Sequence, residues 1–227
     1  GFAIKAPAST LASIKSVRGV ADAFVERYRA PVFYPEQSVA ADAPIADPAK
    51  ETHDDQVAGS GRGRVVEVID ASFDTSLEAF AGSMDAASLR LTKGESASLS
   101  SQLDAGRGGA WLSDKIPFAY DYADGDTDLS RGYDYGPEDY TLHAHGTRMA
   151  ALAAANGATY RGAAPQAQLV VAKVVSNGAS GACDSDLLAA LDDAMVIKPD
   201  VVSVAFMADQ DLSGNASALY EQVFERL

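Results

Sequence analysis

The sequence predicts an α/β fold: a doubly wound parallel sheet preceded by a small α+β segment. Three runs carry the prediction. VVEVID (65–70), QLVVAKVV (168–175) and VVSVAFM (201–207) are short, apolar and rich in β-branched residues, which suits strands buried on both faces. Between them lie helical patterns: the Ala-rich stretch after His145, and a stretch placing Leu187, Leu191, Ala194 and Met195 on one face. Strands alternating with helices at this spacing imply parallel crossovers.

The elements follow in order. Residues 1–35 read as a small module: a strand from Phe2 to Lys5, a helix capped by Ser9 and carrying Leu11, Ile14 and Val17, then a strand from Val20 to Tyr28. So short a module needs a surface to dock on. Residues 36–62 lose all periodicity, and their Ala, Asp, Pro, Gly and Ser content marks a linker. The α/β domain occupies 63–227. Its first strand ends at Asp70, and a polar stretch, 84–109, reads as a surface insertion without a site. The alternating Ile116, Phe118 and Tyr120 predict a further strand.

A Pro-marked turn at 161–166 leads into the next strand. Ser185 or Asp184 is expected to cap the following helix, and Lys198-Pro199 to end it. A last helix, capped by Asn215, sets Leu219, Val223 and Leu227 at helical spacing.

Composition narrows the function. The 227 residues carry a net charge of −14 and no basic stripe, which argues against a nucleic-acid partner. A single cysteine, Cys183, excludes an internal disulfide. No apolar run reaches the ~18 residues needed to span a membrane, and no signal peptide is present. The chain opens on Gly1 and closes within a helical pattern, so a fragment cut at both ends is expected.

The chemistry centres on Asp70 and His145. A carboxylate closing a buried strand is costly without a partner, and the carboxyl edge of an open α/β sheet is where reactive groups gather. An Asp oriented on a His is two-thirds of a nucleophile-activating triad. Gly146 and Thr147 follow His145, small enough to let neighbouring backbone approach closely. The same residues also suit a purely structural hydrogen-bonded pair. His143 and His145 have ligand-like spacing for a metal-dependent hydrolase, but the other histidine, His53, lies in the linker. Cys183 sits in a Gly/Ala turn, where a small-residue role fits better than a nucleophile's. The loop with Asp121, Asp124, Asp126 and Asp128 offers oxygen ligands for calcium, but it lacks the Gly and closing Glu of an EF-hand. No cofactor is expected, and calcium is the sole candidate.

Four motifs in order resemble those of the subtilisin-like serine proteases. VVEVIDASFD resembles their aspartate motif, V-A-V-I-D-[TA]-G-[IF]-D. HAHGTRMAALAAANG is similar to the histidine motif, H-G-T-H-V-A-G-I-[IA]-A-A-N. RGAAPQAQLVVAKVV and DVVSVAFM resemble the strands that follow. The DYADG stretch at Asp121 to Gly125, and the long insertion between Asp70 and His145, resemble the cell-envelope, lactocepin-type branch. The resemblance implies a secreted or cell-envelope bacterial serine endopeptidase. Asp70 would be the triad carboxylate and His145 the general base. The backbone of Ala205, Phe206 and Met207 would pair with extended polypeptide substrates.

The resemblance further implies that residues 1–35 are the end of an inhibitory propeptide, cut from the domain within the linker. The departures are Arg148 for a second His, Ser72 for a Gly, Ala205 for a Ser and Met207 for a Gly. They raise the alternative of a degenerate homologue that binds peptides without cleaving them. The family's oxyanion Asn and nucleophilic Ser are expected beyond Leu227, so this chain alone is expected to be inactive.

Overall fold

The computed structural model describes residues 3–26, 28–29, 60–103, 107–130, 137–206 and 215–227. At its centre is β2 (Val65–Asp70), all six residues buried. It is flanked by β4 (Gln168–Lys173) and β6 (Val201–Val204), and β3 (Phe118–Asp121) completes the sheet on the far side of β4. The order is β3-β4-β2-β6 and every pair is parallel. The registers Ile69↔Val204 and Asp70↔Lys173 bring the ends of β2, β4 and β6 to one edge.

Strand parity decides what each residue of β2 faces, because successive side chains point to opposite sides of a sheet. Val66 and Val68 join Leu169, Val171, Ala150 and Ala154 in the core beneath α3 (Pro137–Ala154). Val65 and Ile69 join Val170, Ala172, Leu187 and Leu191 in the core beneath α4 (Asp184–Ile197). Helices therefore cover both faces, as in a doubly wound sheet. By the same alternation Asp70 falls on the α3 side and Glu67 on the α4 side.

Several local expectations are corrected. Residues 3–7 and 20–26 form no strand. The N-terminal helix, α1 (Leu11–Lys15), is five residues long and buries none of them. Among the described residues of this segment the one strand is β1 (Tyr28–Arg29), which pairs antiparallel with β5 (Ala182–Cys183). The 84–109 stretch is also more ordered than its polarity suggests. It contains α2 (Lys93–Ser100), opened by a capping box in which the Thr92 hydroxyl accepts from Glu95 N and the Glu95 carboxylate accepts from Thr92 N. Buried Gln168 anchors it: Oε1 accepts from Arg90 N and Leu91 N, and Nε2 donates to Leu91 O and Asp114 O, at 2.8–2.9 Å. All four hydrogen-bonding positions of one amide are thus used, three of them to hold the 84–109 stretch to the sheet.

The N-cap of α4 is Cys183 and makes no side-chain capping bond. Asp184, expected as a cap, is the first helical residue and serves another contact. Lys198 closes the helix in the left-handed region, φ 57°. In α5 (Asn215–Phe224), Tyr220 and Val223 pack on the core while Leu219 and Leu227 are exposed. The inward face therefore differs from the one the spacing selects. Among the described residues no helix is long and apolar enough to cross a membrane.

Candidate active site

β2 delivers Asp70 to the carboxyl edge of the sheet, and its main-chain carbonyl there accepts from Val174 N at 2.9 Å. The side chain is fully buried, so its charge needs partners. Ala71 N donates to Oδ1 at 2.6 Å. His145 Nδ1 lies 2.8 Å from Oδ1 and 2.9 Å from Oδ2. A carboxylate only accepts, so Nδ1 carries the proton and Nε2 carries the lone pair. The pair spans 75 positions of sequence yet meets with nearly symmetric geometry.

Two neighbours of His145 hold α3 against this edge. A Cβ on Gly146 would stand 2.4 Å from the Ser72 carbonyl oxygen and 2.8 Å from Asp70 Cβ. Only glycine lets the helix approach so closely. Thr147 Oγ1 accepts from Asp74 N at 2.9 Å, which fixes the turn after β2 to the first residues beyond the histidine. Phe73 N, in the same turn, donates to Leu129 O at 2.9 Å. Beside it opens a cleft of about 510 Å³, lined by Ser72, Asp74, Ser76, Leu112, Thr127 and Asp128 among others.

The neighbouring acidic loop is organised around a lysine. Lys173 Nζ is buried and donates to Asp121 Oδ2 at 2.5 Å and Asp124 Oδ2 at 3.2 Å. Asp126 and Asp128 accept from the backbone of Asp128 and Ser130. Among the described residues no group of three or more His, Cys, Asp or Glu is placed to hold a metal. Within the loop, Asp121 and Asp124 neutralise a cation of the protein itself.

The remaining sequence-nominated residues lie nearby or outside view. Ala205 and Phe206 continue from β6, whose Val204 pairs with Ile69, so both reach the edge that carries Asp70. Phe206 is half-buried against the α4-side core. Met207 and the side chain of His143 fall outside the described residues. Arg148, where the family motif has a second histidine, is exposed. Sequence reasoning did not single out Lys173, and it took Asp184 only as a helix cap. Lys173 interrupts the apolar run 169–175, and a charge inside such a run is the signal that could have found it.

Fold and site together define an α/β domain carrying a carboxylate–imidazole pair at the carboxyl edge of a parallel sheet. The chain belongs to the subtilase family of peptidases, whose family model matches residues 61–226. It is 29% identical over 163 residues to the PI-type proteinase of Lactococcus lactis subsp. cremoris, a match covering 68% of this chain and 8% of that protein. It is also 29% identical over 193 residues to a C5a peptidase of Streptococcus pyogenes, covering 78% of this chain and 14% of that one. The chain thus spans less than a sixth of the length of these relatives. The solved CspB protease of Clostridium perfringens aligns over 76% of this chain and 35% of its own, at 20% identity and a TM-score of 0.46.

Proposed function

We propose that this chain supplies the Asp and His of a serine endopeptidase, with the nucleophilic serine and the oxyanion donor contributed by sequence beyond Leu227. The contact of His145 Nδ1 with both oxygens of Asp70 carries the reading. Asp70 fixes the tautomer, so Nε2 is the base that takes the serine proton as the hydroxyl attacks the peptide carbonyl. Asp70 also stabilises the imidazolium that results. His145 then returns the proton to the leaving amine, and water resolves the acyl-enzyme by the same path.

On this reading the backbone of Ala205, Phe206 and Met207 holds an extended polypeptide by strand addition. Residues 1–35 are the end of a propeptide released by a cut within 36–62. The protein works outside the cytoplasm, secreted or at the cell envelope, as a member of the lactocepin-type branch. Nothing in this chain stands in for the missing hydroxyl: no serine has the G-x-S-x-G setting of another hydrolase elbow.

Two measurements test the proposal. Residues 1–227 should give no turnover of a chromogenic peptide, and turnover abolished by a serine-directed inhibitor would contradict the assignment. The longer protein, read past Leu227, should label with a fluorophosphonate and cleave the same peptide. There Asp70→Asn should lower kcat by about four orders of magnitude. Full activity in Asp70→Asn would refute the role of the pair, and a longer protein that binds peptide without labelling would establish the degenerate alternative.

A further inference from the structure

Among the described residues of the N-terminal segment, Glu26, Tyr28 and Arg29 meet the domain where β5 leads into α4. α1 buries nothing, and among the side chains described in this segment only Arg29 is buried, at 4% exposure. β1 lies antiparallel on β5, with Tyr28 opposite Cys183 and Arg29 opposite Ala182. Arg29 Nε donates to Asp184 Oδ1 at 2.9 Å. The Tyr220 hydroxyl donates to the same oxygen at 2.8 Å, and the guanidinium sits 5.8 Å from the centre of the Tyr220 ring. The adjacent Ser185 N donates to the Glu26 carboxylate at 2.6 Å. Asp184 is 1% exposed, so the pocket has a buried carboxylate for a floor, an aromatic wall from α5 and the edge of β5 along its side.

This junction has the form of a peptide on a receptor. An extended strand is held by main-chain pairing, and one buried side chain supplies selectivity. A buried ion pair contributes little net stability over an apolar contact, because desolvation offsets the attraction. A carboxylate placed inside instead discriminates strongly, since any other occupant leaves it without its cation. The family match begins only at residue 61, so the occupant and the pocket belong to different parts of the sequence.

We propose that Asp184 and Tyr220 form an arginine-selecting pocket for extended polypeptides, and that Arg29 is its resident occupant. The inference rests on the peptidase reading for the class of ligand, and it adds the residue type that the ligand presents. Arginine is favoured over lysine because its planar guanidinium bonds the carboxylate through Nε while lying near the Tyr220 ring. Nη1 of Arg29 is buried without a hydrogen-bond partner, which leaves its two N–H groups for a further acceptor.

The test reads binding and not cleavage, so it is independent of whether the catalytic assignment stands. The full chain carrying Arg29→Ala is titrated, by fluorescence anisotropy, with a labelled peptide copying residues 22–34. The peptide should bind, and replacing its own Arg29 by Ala or Lys should weaken it at least tenfold. Adding Asp184→Asn to the Arg29→Ala chain should cause a similar loss, and the unaltered chain, its pocket filled, should bind at least tenfold more weakly. Equal affinity for the Arg and Ala peptides, or no binding by a chain whose circular dichroism shows it folded, overturns the proposal. Should Arg29→Ala fail to fold, the Arg29→Lys chain takes its place. It must then prefer the Arg peptide to the Lys peptide, and indifference between them overturns the proposal equally.

Discussion

Glu67 gives the most exacting test of the packing. It stands in the middle of β2, fully buried, where the aspartate motif of the family has an alanine, and neither carboxylate oxygen has a hydrogen-bond partner. Parity turns it toward α4, where Asp193 is also buried. Tyr122 donates its hydroxyl to Asp193 Oδ2, and Arg107 binds both Asp193 oxygens. Burial, with the charge of Asp193 adding to it, pushes the Glu67 carboxyl up to about 8 from an ordinary 4.5. The unfolded chain therefore releases this proton near pH 4.5, while the folded chain keeps it until about pH 8. Between those values the folded state binds more protons, so rising pH favours unfolding.

The stability contribution is fully present below about pH 4.5 and is lost progressively up to about pH 8. Each pH unit in that window costs the fold about 1.4 kcal/mol, against a total of about 5–15 kcal/mol for a typical domain. Glu67→Gln keeps the shape and removes the titration. Urea midpoints of variant and parent should nearly coincide at pH 5 and separate steadily toward pH 8, the variant being the more stable. Parallel curves across pH 5–8 would show that Glu67 does not hold its proton in the folded state, and the reasoning from burial would fail.

Three further outcomes follow from the structure. Gly146→Ala, which in an exposed helix would stabilise by up to ~1 kcal/mol, should here destabilise by about 1–3 kcal/mol, because its Cβ meets the Ser72 carbonyl; urea denaturation gives the sign, and loss of the low-field Nδ1 proton resonance of His145 reports the broken pair. Lys198→Gly should stabilise by about 0.5–1 kcal/mol, since a residue with a Cβ is held at φ 57°, and an unchanged or lower melting temperature would refute the strain. Lys115 is buried and donates to the carbonyls of Pro165 and Ala167. Burial lowers its amine to about 7 from 10.5. The unfolded state then binds the extra proton, so stability rises with pH between about 7 and 10.5, opposite in sign to Glu67. Lys115→Met should abolish that slope, and a slope unchanged in the variant would contradict it.

The sheet was legible from sequence because its signal is local. Three β-branched runs with helical patterns between them leave few alternatives to a parallel doubly wound sheet. Parity within VVEVID already sends Asp70 to the face opposite Val65 and Ile69. Short-range chemistry was also available in the Thr92–Glu95 capping box, whose S/T-x-x-E pattern an emphasis on polarity concealed.

Tertiary structure decided the contacts that local pattern cannot encode. Nothing near Gln168 in sequence indicates that its amide would hold residues 90, 91 and 114. The face that α5 turns inward depends on where Asp184 and Arg29 wait for Tyr220, not on its own apolar spacing. In a linear reading, nothing near Glu67, Lys115, Lys173 or Asp184 names the group that each meets when buried. Their energetics are set by partners 36 to 155 positions away in the chain, or by having none, and only the folded chain brings those positions together.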